Sequence, residues 1–197
     1  MNTLEAIATR CSTRRFANRS VEQEKLDAIV TAAGQAPSGG NFRGCHLVVI
    51  RDAKVLNHLA EIATECFAEM TYDENTYQSK KNSINLSRKG LYEFYYHAPV
   101  LIVVADQKSH PNAMADSACA LENMMLAANE LDLGSCWINQ MHWLEEDARL
   151  RDYLEQFGIT KEETITGSLA VGYADREDGL PNRKPFAKAP LRVDYVG

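Results

Sequence analysis

Hydrophobic positions recur at helical spacing near the start of the chain and fuse into continuous runs toward its middle. Leu4 and Ile7 predict a short helix over Thr3 to about Arg10. Leu26, Ile29, Val30 and Ala33 form the core stripe of a second helix. Ser20-x-x-Gln23 opens it as a capping box, and Pro37 ends it near Gln35–Ala36. Pro37-Ser38-Gly39-Gly40-Asn41 is then a tight polar loop. His46 to Arg51, β-branched and apolar, predicts a buried strand, and Asp52 can cap a helix running to about Met70.

Thr71 to Asn85 is polar and without a clear period, which suits either a lid-like mobile segment or a solvated loop. Val100 to Ala105 is apolar at every position, as a strand buried on both faces requires. From Asn112 to Asp132, Met114, Ala118, Leu121, Met125 and Ala128 fall at helical spacing. Ala115, Cys119, Met124 and Leu131 spread the apolar face almost all round, as in a central helix or one at a subunit interface. Gly134 is placed to stop that helix. Ser135 to Ile138 predicts a short strand, Leu144 to Phe157 an amphipathic helix ending at Gly158, and Thr164 to Tyr173 the last core strand. Asp178-Gly179, Pro181, Pro185 and Pro190 make the remaining tail extended and turn-rich. The pattern is that of one α+β domain over residues 1–197 with a central sheet, not a doubly wound one, because strands are few and helix dominates.

Composition narrows the function classes. Of 197 residues, 45% are hydrophobic and 24% charged, values that suit a packed domain and exclude disorder. The longest apolar run, Val100 to Ala105, is far too short to span a bilayer, and the first residues lack a secretory apolar core. The expectation is a cytoplasmic protein. Five cysteines (Cys11, Cys45, Cys66, Cys119, Cys136) stand at wide spacings without a C-x-x-C pair, so a disulfide framework, a cluster or a zinc ribbon is not expected. The five histidines lack ligand spacing, and no metal is assigned.

The net charge of -6 argues against a nucleic-acid or anionic-membrane binder. Its distribution is uneven. Arg10, Arg14, Arg15 and Arg19 face only Glu5 in residues 1–20, a net of +3. Arg183, Lys184, Lys188 and Arg192 face only Asp194 in residues 183–197, again +3, while the middle carries -12. The basic ends are either a solvated surface or two halves of one anion site.

Four segments could carry chemistry. Arg10-x-Ser12-x-Arg14 offers two guanidinium groups and a hydroxyl, which suits a phosphate monoester or, more plainly, a solvated patch. The loop Ala36 to Asn41 lets backbone approach a ligand closely, with Ser38 and Asn41 as polar partners. Leu133 to Gln140 is a strand end that presents backbone N–H groups. Gly172-Tyr173 is followed by Asn182-Arg183-Lys184-Pro185, a second basic cluster. Neither a phosphate loop, a dinucleotide fingerprint nor a nucleophile elbow occurs, and Cys45 and His46 fall on opposite faces of a strand.

In this order, the segments resemble the nitroreductase-like family of FMN-dependent NAD(P)H oxidoreductases. The matching features are Arg10-x-Ser12-x-Arg14-x-Phe16, Ala36-Pro-Ser-Gly-Gly-Asn41 and Ala98-Pro-Val-Leu-Ile-Val-Val104. They continue with Glu122 to Ala128 leading to Leu133-Gly-Ser-Cys-Trp-Ile138, and with Gly172-Tyr173 before Arg183-Lys184-Pro185. The resemblance implies a mixed, mainly antiparallel sheet flanked by helices and an intertwined homodimer with exchanged C-terminal tails. It implies an FMN at each of two sites at the dimer interface, with NADH or NADPH as electron donor. Carried over, Arg10, Cys11, Ser12 and Arg14 hold the FMN phosphate with Arg183 or Lys184 closing on it. Pro37, Ser38, Gly39 and Asn41 line the flavin from the other subunit. Trp137, Ile138, Asn139 and Gln140 pass the ring near N5, with a backbone N–H directed at it.

Two departures from the family fall at the flavin face: Phe42-Arg43-Gly44-Cys45 replaces Gln-Pro-Trp after the loop, and Asn139 and Gln140 stand where relatives have Gly. Asn85, Arg88 and Lys89 are candidates for a further flavin contact. No nucleophile–base pair is evident, so the cofactor carries the chemistry. The implied reaction is ping-pong hydride transfer through flavin N5 to a nitroaromatic, quinone or enone. The alternatives are a non-redox FMN-binding or flavin-handling protein of the same fold and a polyanion-binding module.

Overall fold

A computed structural model describes residues 1–184 and 189–197; Pro185 and Lys188, named above, lie outside the described residues. Four strands, β1 (His46–Ile50), β2 (Val100–Gln107), β3 (Gly134–Ile138) and β4 (Glu163–Gly172), form one sheet in the order β1-β2-β4-β3. Every pairing of these strands is antiparallel. Among the described residues the parallel element is a single bridge between Ser12 and Ser135.

The apolar run of β2 is apolar because both sheet faces are covered. Leu101, Val103 and Ala105 point into one core, with α3 (Ala53–Glu69), α6 (Gln140–Trp143) and α7 (Ala148–Glu155). Val100, Ile102 and Val104 point into the other, with α2 (Gln23–Gly34) and α5 (Ala113–Glu130). α1 (Thr3–Thr9) lies against α5: the Asn129 side chain donates to the Ala6 carbonyl at 3.2 Å. Ala6 is its buried residue, and the predicted apolar pair Leu4 and Ile7 faces outward.

Several expectations are corrected. Ser20 does not cap α2; the helix starts at Gln23 with Glu22 in the cap position, and Glu22 is engaged by Tyr173 instead. The stretch expected as a lid or solvated loop holds a helix, α4 (Gln78–Arg88). Its buried positions are Ser83, Ile84 and Ser87, so two of three are polar and the helical stripe is masked. Gly134 does not stop α5. That helix ends at Glu130, and Asp132 turns the chain with φ 62°. The helix expected over Leu144–Phe157 is shorter, α7 alone: it starts after Asp147, whose side chain accepts the Arg149 N–H at 3.0 Å, and the short α6 precedes the expected span.

Candidate functional site

Past α1 the chain is extended and lies along β3. The Thr13 N–H donates to the Ser135 carbonyl at 2.9 Å. Gly134 permits this approach, since a Cβ there would sit 2.5 Å from Thr13 Oγ1. The thiol of Cys11 reaches the Lys184 carbonyl at 3.6 Å, so the second basic cluster arrives beside the first. Ser12 is bridged to Ser135, which sets Arg10, Ser12 and Arg14 beside the buried Cys136. Burial pushes the Cys136 thiol up, while the Arg14 charge, a hydrogen bond from Ser12 and the Arg10 charge pull it back. Arg10 meets only the edge of an ion pair, 3.9 Å from Glu122, and Arg14 is exposed with no ion pair among the described residues. Donors are thus available for an anion.

Arg183 goes elsewhere. Its guanidinium bonds the Asn129 carbonyl and, at 2.7 Å, Asp132 Oδ1. The negative dipole end of α5 and the Asp132 carboxylate draw it there.

The second segment is held by the first turn of α5. Ser38 leads into a 3₁₀ turn, Gly39–Asn41, and Gly40, Asn41 and Arg43 all take positive φ. The Gly39 N–H donates to Asp116, 3.0 Å and 3.1 Å from its two carboxylate oxygens. A Cβ on Gly39 would fall 2.3 Å from Asn112 Nδ2. The Arg43 N–H closes the loop on Ser38 Oγ at 3.0 Å. Pro37, Ser38, Arg43, Cys45, His46 and Asp116 line a cavity of about 340 Å³ under it.

The third segment is the end of β3. Trp137 packs beside Gly167, and the Ile138 carbonyl accepts the Ser168 hydroxyl at 3.2 Å. The Asn139 N–H donates to Gln140 Oε1 at 3.0 Å as α6 begins. Gln140 also lies against Tyr92, whose phenol burial pushes up to about 12 and whose oxygen stands 2.8 Å from Ser83 Oγ. Ser83 and Tyr92 therefore bring α4 to the site, a role that sequence reasoning missed. The candidates it named instead are tied away: Asn85 to the Tyr72 hydroxyl, Arg88 to the carbonyls of Ala68 and Met70. Lys89 is exposed at the end of α4.

A further cavity, about 400 Å³, is lined in part by Arg19, Arg51 and His97. Its arginines are already engaged, Arg19 over the Tyr173 ring and Arg51 by Gln23 and the Val21 carbonyl. Among the described residues no helix is long and apolar enough to cross a membrane.

Solved structures of this shape set the class. A Bacteroides fragilis nitroreductase with bound FMN matches over the full length of both chains, at 30% identity and a TM-score of 0.85. A Desulfitobacterium hafniense nitroreductase shares the fold over the full length of both chains, at 24% identity and a TM-score of 0.81. The class is that of flavin oxidoreductases. The Nitroreductase family model matches residues 7–173, and the chain belongs to the nitroreductase family. Curated relatives include a protein of Archaeoglobus fulgidus with the provisional name NADH dehydrogenase/NAD(P)H nitroreductase. It is 28% identical over 178 residues, covering 88% of this chain and 86% of that one. The iodotyrosine deiodinase of Hydra vulgaris is 26% identical over 198 residues, 94% of this chain and 70% of its own.

Proposed function

We propose that the chain is an FMN-dependent NAD(P)H oxidoreductase that works as a homodimer. The observation that carries the reading is the extended segment that bears Arg10, Ser12 and Arg14 along β3, with Ser12 bridged to Ser135 and Arg14 unpaired among the described residues. Two guanidinium groups and a hydroxyl match the charge and oxygen count of a phosphate monoester, so the residues present fit FMN.

In this reading Arg10, Ser12 and Arg14 bind the phosphate, with Cys11 between them and Lys184 adding charge at the rim. Arg183, fixed on α5, holds Lys184 in place. Pro37, Ser38, Gly39 and Asn41 line the ring from the partner subunit. Trp137 and Ile138 bring the chain past it, and the turn at Asn139 and Gln140 directs a backbone N–H toward it. α4 shields that end from water. The chemistry FMN supplies when bound is two-electron transfer in two half-reactions, from NADH or NADPH and then to a small oxidant such as a nitroaromatic, quinone or enone.

Exposed apolar residues support the dimer. Leu4 and Ile7 on α1, Met114 on α5, and Leu191, Val193, Tyr195 and Val196 in the tail stand open to water in one protomer. A second copy exchanging tails would cover them. Five free thiols fit the reducing cytoplasm. The binding half of the proposal is tested by titrating the apo-protein with FMN and with riboflavin. FMN is expected to bind far more tightly, and equal affinities would contradict the phosphate site.

A further inference from the structure

We propose that the buried chain Asp106–His110–Asp116 is the support that fixes the loop Ser38–Arg43. His110 is thereby a positioning residue for the ligand face that this loop forms. The inference rests on the proposed function only in calling that ligand a flavin.

Asp106 closes the buried run of β2, and its carboxylate is fully buried. His110 stands in the turn that follows, its N–H on the Gln107 carbonyl at 2.9 Å. Its Nδ1 lies 3.4 Å from both carboxylate oxygens of Asp106, and its Nε2 lies 3.5 Å from Asp116 Oδ2. The His110 side chain is only 6% exposed, so these carboxylates have little water to turn to. The two ring nitrogens of His110 thus face the two carboxylates, one on each side of the ring.

Each member of the chain touches the loop. Asp116 receives the Gly39 N–H. The His110 ring packs on the Phe42 ring, with centroids 4.2 Å apart. Asp106 crowds Gly44, where a Cβ would fall 2.5 Å from Asp106 Oδ1 and 2.4 Å from the Phe42 ring. Between these anchors Gly40, Asn41 and Arg43 sit at positive φ, which for the two non-glycine residues is a conformation the surroundings must impose. The loop's own bonds, Arg43 N–H to Ser38 Oγ and Arg43 Nε to Asn41 Oδ1, close it on itself but do not attach it to the sheet. Within Ser38–Arg43 the link to β2 is the Phe42 ring on His110 and His110 on Asp106, beside the contacts that Gly44 and Cys45 make with Asp106.

The test uses the apo-protein and the variants His110→Ala and His110→Gln, with Arg14→Ala alongside. Hydrogen exchange across residues 37–44 is expected to quicken at least about tenfold in His110→Ala, with β2 and β4 as protected as in the wild type. FMN and riboflavin affinities are expected to fall by the same factor, roughly tenfold, so that their ratio stays fixed. Arg14→Ala lowers FMN affinity alone. His110→Gln keeps the size of the side chain and is expected to show the same changes in weaker form, so it carries the test if the alanine variant does not fold. Wild-type exchange over 37–44 in a folded His110 variant overturns the proposal, as does loss of FMN with riboflavin binding intact. A wild-type protein that binds neither flavin overturns the flavin assignment, while the exchange result still decides the support itself.

Discussion

The hydroxyl of Tyr173 donates to Glu22 at 2.6 Å, tying the end of β4 to the start of α2. Lys25 reaches the same hydroxyl at 3.0 Å, and the Arg19 guanidinium lies 3.6 Å from the ring centroid. The Tyr173 bond holds the Glu22 carboxyl down to about 2. A carboxylate depressed in the folded state stabilises above its ordinary pKa, and the gain is lost as pH falls through the folded value. Tyr173→Phe is therefore expected to melt earlier than the wild type near neutral pH, with the gap shrinking as pH drops from about 4.5 toward 2. Melting curves across that range check it; a gap independent of pH would contradict it.

This contact also explains a misreading of the sequence. Ser20 and Gln23 satisfy a local rule for a helix start, but Glu22 is held from the far end of the chain, and the helix starts after it. Tertiary contact overrode local pattern.

Gly134→Ala is expected to lower stability by about 1–3 kcal/mol, the usual cost of overpacking. The new Cβ would meet Thr13 Oγ1 at 2.5 Å and push the Arg10–Arg14 segment off β3. FMN affinity should fall with it. Paired melting and titration measurements check both effects, and unchanged FMN binding would separate the segment from the site.

Phe67 is fully buried and meets Tyr92 and Trp143 edge-on, with centroids 5.5 Å and 6.4 Å away. It joins α3 to the residues that anchor α4 and α6. Phe67→Ala is expected to cost about 3–5 kcal/mol, read as a shift in the denaturation midpoint. A loss under about 1 kcal/mol would mean that the cavity collapses freely.

Much of this architecture was legible because burial writes itself into apolar runs. β2 reads as a two-sided strand since each of its first six residues meets a core. α4 did not read as a helix, because Ser83 and Ser87 fill its inward face and Ser83 is satisfied by Tyr92 rather than by apolar contact. At the site, the spacing of Arg10, Ser12 and Arg14 was visible locally. The hold of α5 on Arg183 was not, since it depends on the Asn129 carbonyl and the Asp132 carboxylate standing where a distant helix ends.

Replacing Arg10 and Arg14 together by Ala removes two charged donors, each worth about 1.5–3 kcal/mol to an ionised acceptor. FMN affinity is expected to fall by roughly two to four orders of magnitude, with riboflavin binding little changed. Sedimentation of the variant is expected to show an intact dimer. Wild-type FMN affinity in the double variant would assign the phosphate elsewhere.

The most direct test of the proposed oxidoreductase is anaerobic mixing of the FMN-loaded protein with NADH and with NADPH in turn, followed by the visible absorbance of the flavin. The absorbance is expected to bleach with at least one of the two and to return when a quinone is added. An FMN-loaded protein that stays oxidised with both donors would contradict the account and leave a flavin-binding protein without this redox activity.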